Sequence, residues 1–238
     1  MRMRRKKWAA SELREACFVV DEPLCCRGKW REQFARREQP LHLELGCGKG
    51  GFISRLALLH PEVNYLAVDK IDNMLGLAKR AVERVCLQEK REPDNIRLTN
   101  FEVECIDRIL APQDEVKRLY INFCNPWPKP RHRKHRLTYV SQLLCYRSFL
   151  APDAELFFKT DDEGLFHDTL CHYLPQAGFV VEEVIRDLHA AGLPENIETE
   201  HERMFSEEGI PIKFLRARLG PLPVQRQEES PGAGDFSE

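Results

Sequence analysis

The chain has 238 residues, 42% of them apolar, with a formal net charge of −2 at pH 7; that is enough for a sizeable core in one domain plus tails. No run approaches the roughly 20 apolar residues of a membrane helix, and the basic start lacks the apolar core of a signal peptide, so the chain reads as soluble and cytoplasmic. Nine cysteines, odd in number and without a C-x-x-C pair, fit a reducing compartment rather than a disulfide framework.

Residues 1–37 read as a helical or irregular preface that opens with a basic cluster, Arg2, Arg4, Arg5, Lys6 and Lys7. From there strands and helices alternate. Leu41 to Leu45 is a short strand running into glycines, Gly51 to Leu59 a helix, Asn64 to Asp69 a strand and Asp72 to Glu89 an amphipathic helix. Asn95 to Thr99 and Arg118 to Phe123 read as further strands. Arg136 to Phe149 reads as a helix, Glu155 to Lys159 as a strand, and Gly164 to Gln176 as a helix stopped by Gly178. Phe179 to Ile185 and Lys213 to Leu219 close the pattern as an antiparallel edge hairpin. Such alternation predicts an α/β fold with a doubly wound, mostly parallel seven-stranded sheet over residues 38–219, with ligands at the carboxyl ends of the strands. Residues 220–238, rich in Pro, Gly, Ser and Glu, read as a disordered acidic tail.

The first strand runs into Glu44-Leu45-Gly46-Cys47-Gly48-Lys49-Gly50-Gly51. Gly46, Gly48 and Gly50 allow close backbone approach by a ligand, and Asp69 at the end of the second strand is placed to hold a ribose diol. A dinucleotide and S-adenosylmethionine both suit that geometry. Glu44 favours the second, because a carboxylate before the loop repels a pyrophosphate and attracts a cationic amino group. Lys49 runs slightly against this unless it turns outward. Glu102 and Glu104, after the third strand, are placed for an adenine amino group or for a solvated first turn.

The stretch Asn125-Pro-Trp-Pro-Lys-Pro-Arg-His-Arg-Lys-His-Arg136 sets a stiff aromatic corner against a run of cations. Pro126 and Pro128 restrict the backbone on both sides of Trp127. A ring held on a corner suits stacking on a base, and Lys129, Arg131, Arg133, Lys134 and Arg136, with His132 and His135, suit phosphates. The alternative is a core tryptophan beside a solvated charged face. A metal at His132-x-x-His135 is not expected among so many cations.

Together these motifs resemble the bacterial tRNA (guanine-N7-)-methyltransferases of the TrmB type, which are class I methyltransferases with a Rossmann-like fold. The resemblance spans about Leu41 to Leu219 and is most specific at Tyr120 to Tyr139, Phe158-Lys-Thr-Asp161, Asp187-Leu-His189 and Thr199-Glu-His-Glu202 with Phe205. It implies methylation of N7 of a variable-loop guanine. It assigns Glu44, Asp69 and Glu102 to S-adenosylmethionine. It assigns Lys129, Asp161, Thr199, Glu200, His201 and Glu202 to the substrate, and Arg131 to Arg136 to tRNA. The catalytic candidates are Asp161 and Asn125, the latter also beside the cofactor and standing where the family has aspartate. That replacement predicts weaker guanine selection, because an amide accepts on one side and donates on the other. It also leaves open a tRNA-binding homologue with impaired catalysis, or an Asn-Pro-Pro-aromatic type amino methyltransferase. No obligate protein partner or membrane is implied, and the chain is expected as a monomer or homodimer.

Overall fold

A computed structural model describes residues 7–223. Arg2, Arg4, Arg5 and Lys6 of the basic cluster, and the tail from 224, lie outside the described residues. The strands are β1 (Val19–Val20), β2 (Leu41–Leu45), β3 (Asn64–Asp69), β4 (Ile96–Asn100), β5 (Val116–Asn122), β6 (Leu150–Thr160), β7 (Phe179–Ile185) and β8 (Lys213–Leu219). They form one sheet in the order β1-β4-β3-β2-β5-β6-β8-β7. All pairs are parallel up to β6; β8 runs antiparallel to β6 on one side and to β7 on the other.

The sheet therefore has eight strands where the sequence pattern predicts seven. The additional one is β1, whose two residues are too short to show a period, and which pairs with β4. Two other boundaries also move. The expected helix from Arg136 begins only at Val140, as α4 (Val140–Arg147), because a 3-10 turn over Pro130–His135 precedes it. The expected strand at Glu155 begins at Leu150.

Helices α1 (Lys7–Glu15), α2 (Gly51–Leu59) and α3 (Asp72–Gln88) lie on one face. There Phe52, Ile53, Leu75 and Ala78 meet Tyr65, Ala67, Leu98 and Tyr120 of the strands. The other face stacks Leu41, Leu43, Leu45, Leu119 and Ile121 against Tyr146 and Phe149 near α4, Phe166 of α5 (Glu163–Asp168) and Leu174 of α6 (Leu174–Gln176). All five residues of β2 are buried, as a central strand covered on both faces requires. Its period of two sends the leucines to one layer and His42 and Glu44 to the other. Glu44 thus enters the interior by strand geometry alone.

The preface is part of the packed structure. Trp30 is fully buried, and its ring Nε1 donates to the Ile109 carbonyl at 2.6 Å. Gly76 lets α1 close on α3, since a Cβ there would lie 3.0 Å from Ala9 Cβ and from the Trp8 ring. Strand order reverses between β2 and β5, with β3 and β4 to one side and β6 to the other. Ligands of open α/β sheets bind at the strand tips beside that reversal. Among the described residues no helix is long and apolar enough to cross a membrane.

Candidate active site

The loop after β2 turns through left-handed backbone at Gly46 (φ 77°) and Gly48 (φ 54°). A Cβ at either would meet nothing within 4 Å, so the loop exposes bare backbone to open space. Gly50 serves packing instead, because a Cβ there would lie 2.6 Å from Ala78 Cα in α3. Asp69 braces the loop: its Oδ2 accepts from Gly48 N at 2.9 Å and its Oδ1 from Ile71 N at 2.9 Å. Burial pushes its carboxyl upward while those N–H groups pull it back. A carboxylate has about four acceptor sites, more than these N–H groups use, which leaves capacity for a diol.

Glu44 sits beneath the same loop with 2% exposure. Its Oε1 accepts from Asn122 Nδ2 at 3.1 Å, whereas its Oε2, also buried, has no partner. Burial pushes the carboxyl up to about 7; Asn122 and Lys159 lower it and Asp69 raises it further. A buried carboxylate oxygen without a partner costs about 1–3 kcal/mol, and a cation placed at the loop removes that cost. Among the described residues this is the strongest structural demand for a positively charged ligand. Glu102 lies after β4, exposed and paired with Lys70 at 3.3 Å, with Glu104 on the same lysine at 3.4 Å.

After β5 the chain turns sharply. Phe123 and Trp127 both have left-handed backbone, at φ 52° and 43°. Asn125 is exposed, and its Oδ1 accepts from Trp127 N at 3.0 Å, so the amide oxygen shapes the corner itself. The half-buried Trp127 ring is flanked by His132 at 5.6 Å and His135 at 5.4 Å between centroids. Lys129, Arg131, Arg133, Lys134 and His135 are exposed around it, as a phosphate-facing surface needs.

Arg136 does not fit that expectation. It is 3% exposed, and it donates to the Pro126 carbonyl at 2.7 Å, to Asp168 at 2.6 Å and to the Tyr173 hydroxyl at 3.1 Å. A side chain so enclosed meets no phosphate; it fastens the aromatic corner to the helix after β6. Arg133 also approaches Asp168, at 3.4 Å, but stays exposed.

The segment between β7 and β8, expected to hold no long helix, carries two short ones, α7 (Leu188–Ala191) and α8 (Glu200–Glu207). The α8 N-terminus is a reciprocal cap. Thr199 Oγ1 accepts from Glu202 N at 3.0 Å, and Glu202 Oε2 accepts from Thr199 N at 3.3 Å. Glu202 is wholly buried and bonded also to Lys159 at 3.0 Å and to Asn196. Thr199 and Glu202 therefore shape the site rather than face a ligand. Glu200 and His201 point to it: Glu200 pairs with Lys49 at 2.7 Å, and His201 stacks on Phe123 at 5.7 Å with planes 21° apart. Lys49 thus turns outward, leaving Glu44 as the charge under the loop.

These contacts link the glycine loop to α8, α8 to Phe123 and Phe123 to the Asn125–Trp127 corner. Asp161, at the end of β6, is half-buried, and its carbonyl accepts from Lys213 at 2.7 Å. A cavity of about 710 Å³ lies instead along the α2 face of β5, β6 and β8, over Phe52, Tyr120, Phe157 and Phe214. It meets the Glu44 cluster only through Asn122 and Lys159, so its size does not make it the ligand site. Sequence reasoning missed Asn122, Lys159 and Asn196. Only Lys159 carried a signal, as a lone cation ending an apolar strand.

A family model described as "Putative methyltransferase" matches residues 38–215. A tRNA (guanine-N(7)-)-methyltransferase of Ruminiclostridium cellulolyticum is 51% identical over 91% of this chain and 92% of its own. One of Clostridium beijerinckii is 48% identical over 91% and 98%, and one of Acetivibrio thermocellus 49% over 91% and 99%. Among solved structures, the 16S rRNA methyltransferase KamB aligns with a TM-score of 0.55 at 16% identity, covering 80% of this chain and 91% of that one. A variant 16S rRNA (adenine(1408)-N(1))-methyltransferase from Catenulisporales acidiphilia, solved with its cosubstrate SAM, aligns at 0.52 and 16%, covering 85% and 90%. At such low identity the structural likeness concerns the fold.

Proposed function

Because the chain belongs to the family of tRNA (guanine-N(7)-)-methyltransferases, we propose that it methylates N7 of a variable-loop guanine in tRNA. The single observation that carries this is near-half identity with those relatives over nine-tenths of both chains. The described site fits the methyl donor S-adenosylmethionine: open glycine backbone, a diol-ready Asp69 and the unpaired buried oxygen of Glu44. When bound, that molecule supplies an electrophilic methyl group on a sulfonium. Glu44 would hold its amino group, Gly46 and Gly48 its amino-acid end, Asp69 its ribose and Glu102 its adenine.

Guanine N7 carries an in-plane lone pair and no proton, so no side chain has to act as a base. The protein's task is positioning. Trp127 and the cations Lys129, Arg131, Arg133 and Lys134 present the RNA, and Asn125 and His201 border the slot from two sides. Asp161 faces charge that develops on the base and lowers its cost. Asn125, at the place where the resemblance implies aspartate, makes a corner bond through Oδ1 that a carboxylate oxygen is equally able to make. That observation favours an active enzyme over an RNA-binding homologue. We take residues 38–219 as the catalytic unit, acting in the cytoplasm as a monomer or homodimer.

Incubating the purified chain with unmodified tRNA and S-adenosylmethionine, then analysing nucleosides by mass spectrometry, tests the proposal. The expected product is 7-methylguanosine. Methylation at another atom, or tRNA binding without methylation, refutes it.

A further inference from the structure

Lys159 is 6% exposed, at the end of a strand whose preceding residues, Leu156, Phe157 and Phe158, are apolar. All three ammonium donors are used: on Glu202 Oε2 at 3.0 Å, on the Ile197 carbonyl at 3.1 Å and on Asn196 Oδ1. Asn196 in turn donates to Glu202 Oε1. The lysine thus draws together β6, the Asn196–Ile197 turn and the capped end of α8.

It also stands near Glu44: Lys159 of β6 is the register partner of Asn122 in β5, whose amide donates to Glu44. Burial pushes the Lys159 pKa down, while Glu202 and then Glu44 push it up. From the elements packed against Glu44, Asp69 of β3, Cys47 of the glycine loop and Tyr120 of β5 add negative character or none, Asn122 of β5 donates a hydrogen bond, and Lys159 of β6 supplies the positive charge. A buried ion pair seldom stabilises a fold better than apolar packing of the same volume. Stability alone therefore does not account for a lysine in this place.

We propose that Lys159 is a positioning residue for methyl transfer: it fastens the α8 N-terminus over the glycine loop and places its ammonium group beside the Asn122–Glu44 pair that receives a cationic ligand. This rests on the reading that Glu44 receives the amino group of S-adenosylmethionine. One residue then serves both halves of the site. Through Glu202 it sets Glu200 and His201 against Lys49 and Phe123; its positive charge favours the ionised form of Glu44.

The double variant Lys159→Met/Glu202→Gln removes the ion pair without leaving either charge buried alone. Cofactor affinity would be measured by titration calorimetry from pH 5.5 to 9 for this variant, wild type, Lys159→Arg and Glu44→Gln. Wild-type affinity is expected to rise with pH through the Glu44 titration and then level off. In the double variant the midpoint is expected to move up by about one pH unit, while Lys159→Arg, which keeps the charge, holds the wild-type midpoint. Should the double variant not fold, Lys159→Gln/Glu202→Gln, which also leaves neither charge buried alone, provides the same comparison. A midpoint identical to wild type in the charge-removed variant overturns the inference while leaving the Glu44 reading intact. Wild-type affinity in Glu44→Gln removes that reading and the inference with it. The apo proteins give a second readout: the pH dependence of thermal unfolding should shift in the same direction in the double variant, and an unshifted profile counts against Lys159.

Discussion

Replacing Glu44 with Gln removes one ionisable group from the interior while keeping its shape and its bond with Asn122. Burial raises this carboxyl from an ordinary 4.5 to about 7. Its folded-state pKa lies above its unfolded value, so its contribution to stability is complete below about pH 4.5 and is lost as pH rises to about 7. A shift of some 2.5 units corresponds to about 3 kcal/mol. The apo wild type should therefore lose about that much relative to Glu44→Gln between pH 4.5 and 7.5, with most of the change above pH 5. Paired urea unfolding curves at half-unit steps measure the difference, and subtracting the variant cancels titrations common to both, including Asp69. With saturating S-adenosylmethionine at pH 8 the order should reverse, because the ligand stabilises only the protein whose carboxylate can pair with it. A stability difference that stays constant with pH would show that Glu44 does not carry a perturbed titration, and the electrostatic argument for the cofactor slot would fail.

Changing Arg136 to Ala should destabilise the fold by about 3 kcal/mol or more, since it leaves Asp168 half of a broken buried pair; chemical denaturation measures this, and an unchanged midpoint contradicts the structural role given to it. Arg131→Ala with Arg133→Ala and Lys134→Ala should leave unfolding within about 1 kcal/mol of wild type but weaken tRNA binding and reduce its salt slope by about 2–3; cofactor affinity falling in parallel would show that the run is structural. Asn125→Asp should preserve the corner and raise kcat/KM for tRNA by about fivefold, the difference between a neutral and a charge-assisted hydrogen bond to the guanine edge. An equal or lower value in steady-state methylation assays would mean that the amide costs nothing at this position.

The central strands were legible because they are long, apolar and bounded by turn residues: Leu41 to Leu45 and Asn64 to Asp69 fall where their period puts them. The glycine loop and the Asn125 corner were legible as motifs, because φ > 0 and proline stiffness leave compositional marks. What stayed hidden depended on contacts between distant segments. β1 is defined only by its partner β4, and the helix expected from Arg136 loses its first turn because that arginine is drawn inward to Asp168 and Pro126. The same limit explains Glu202. The resemblance assigned it to the substrate, and nothing local announced that Lys159, some forty residues earlier, would enclose it.

The chain leaves the sheet at Ile185 and re-enters at Lys213, and Ile185 pairs directly with Phe214. The excursion between, residues 186–212, carries α7, α8 and the whole Thr199–Glu202 cap yet starts and ends at neighbouring points of one antiparallel ladder. Lengthening such an arch adds little closure entropy and moves no strand. Grafting the equivalent arch from a relative should therefore keep the strand order, and it is accommodated where the incoming segment also meets Lys49, Phe123 and Lys159, residues outside the arch that it touches.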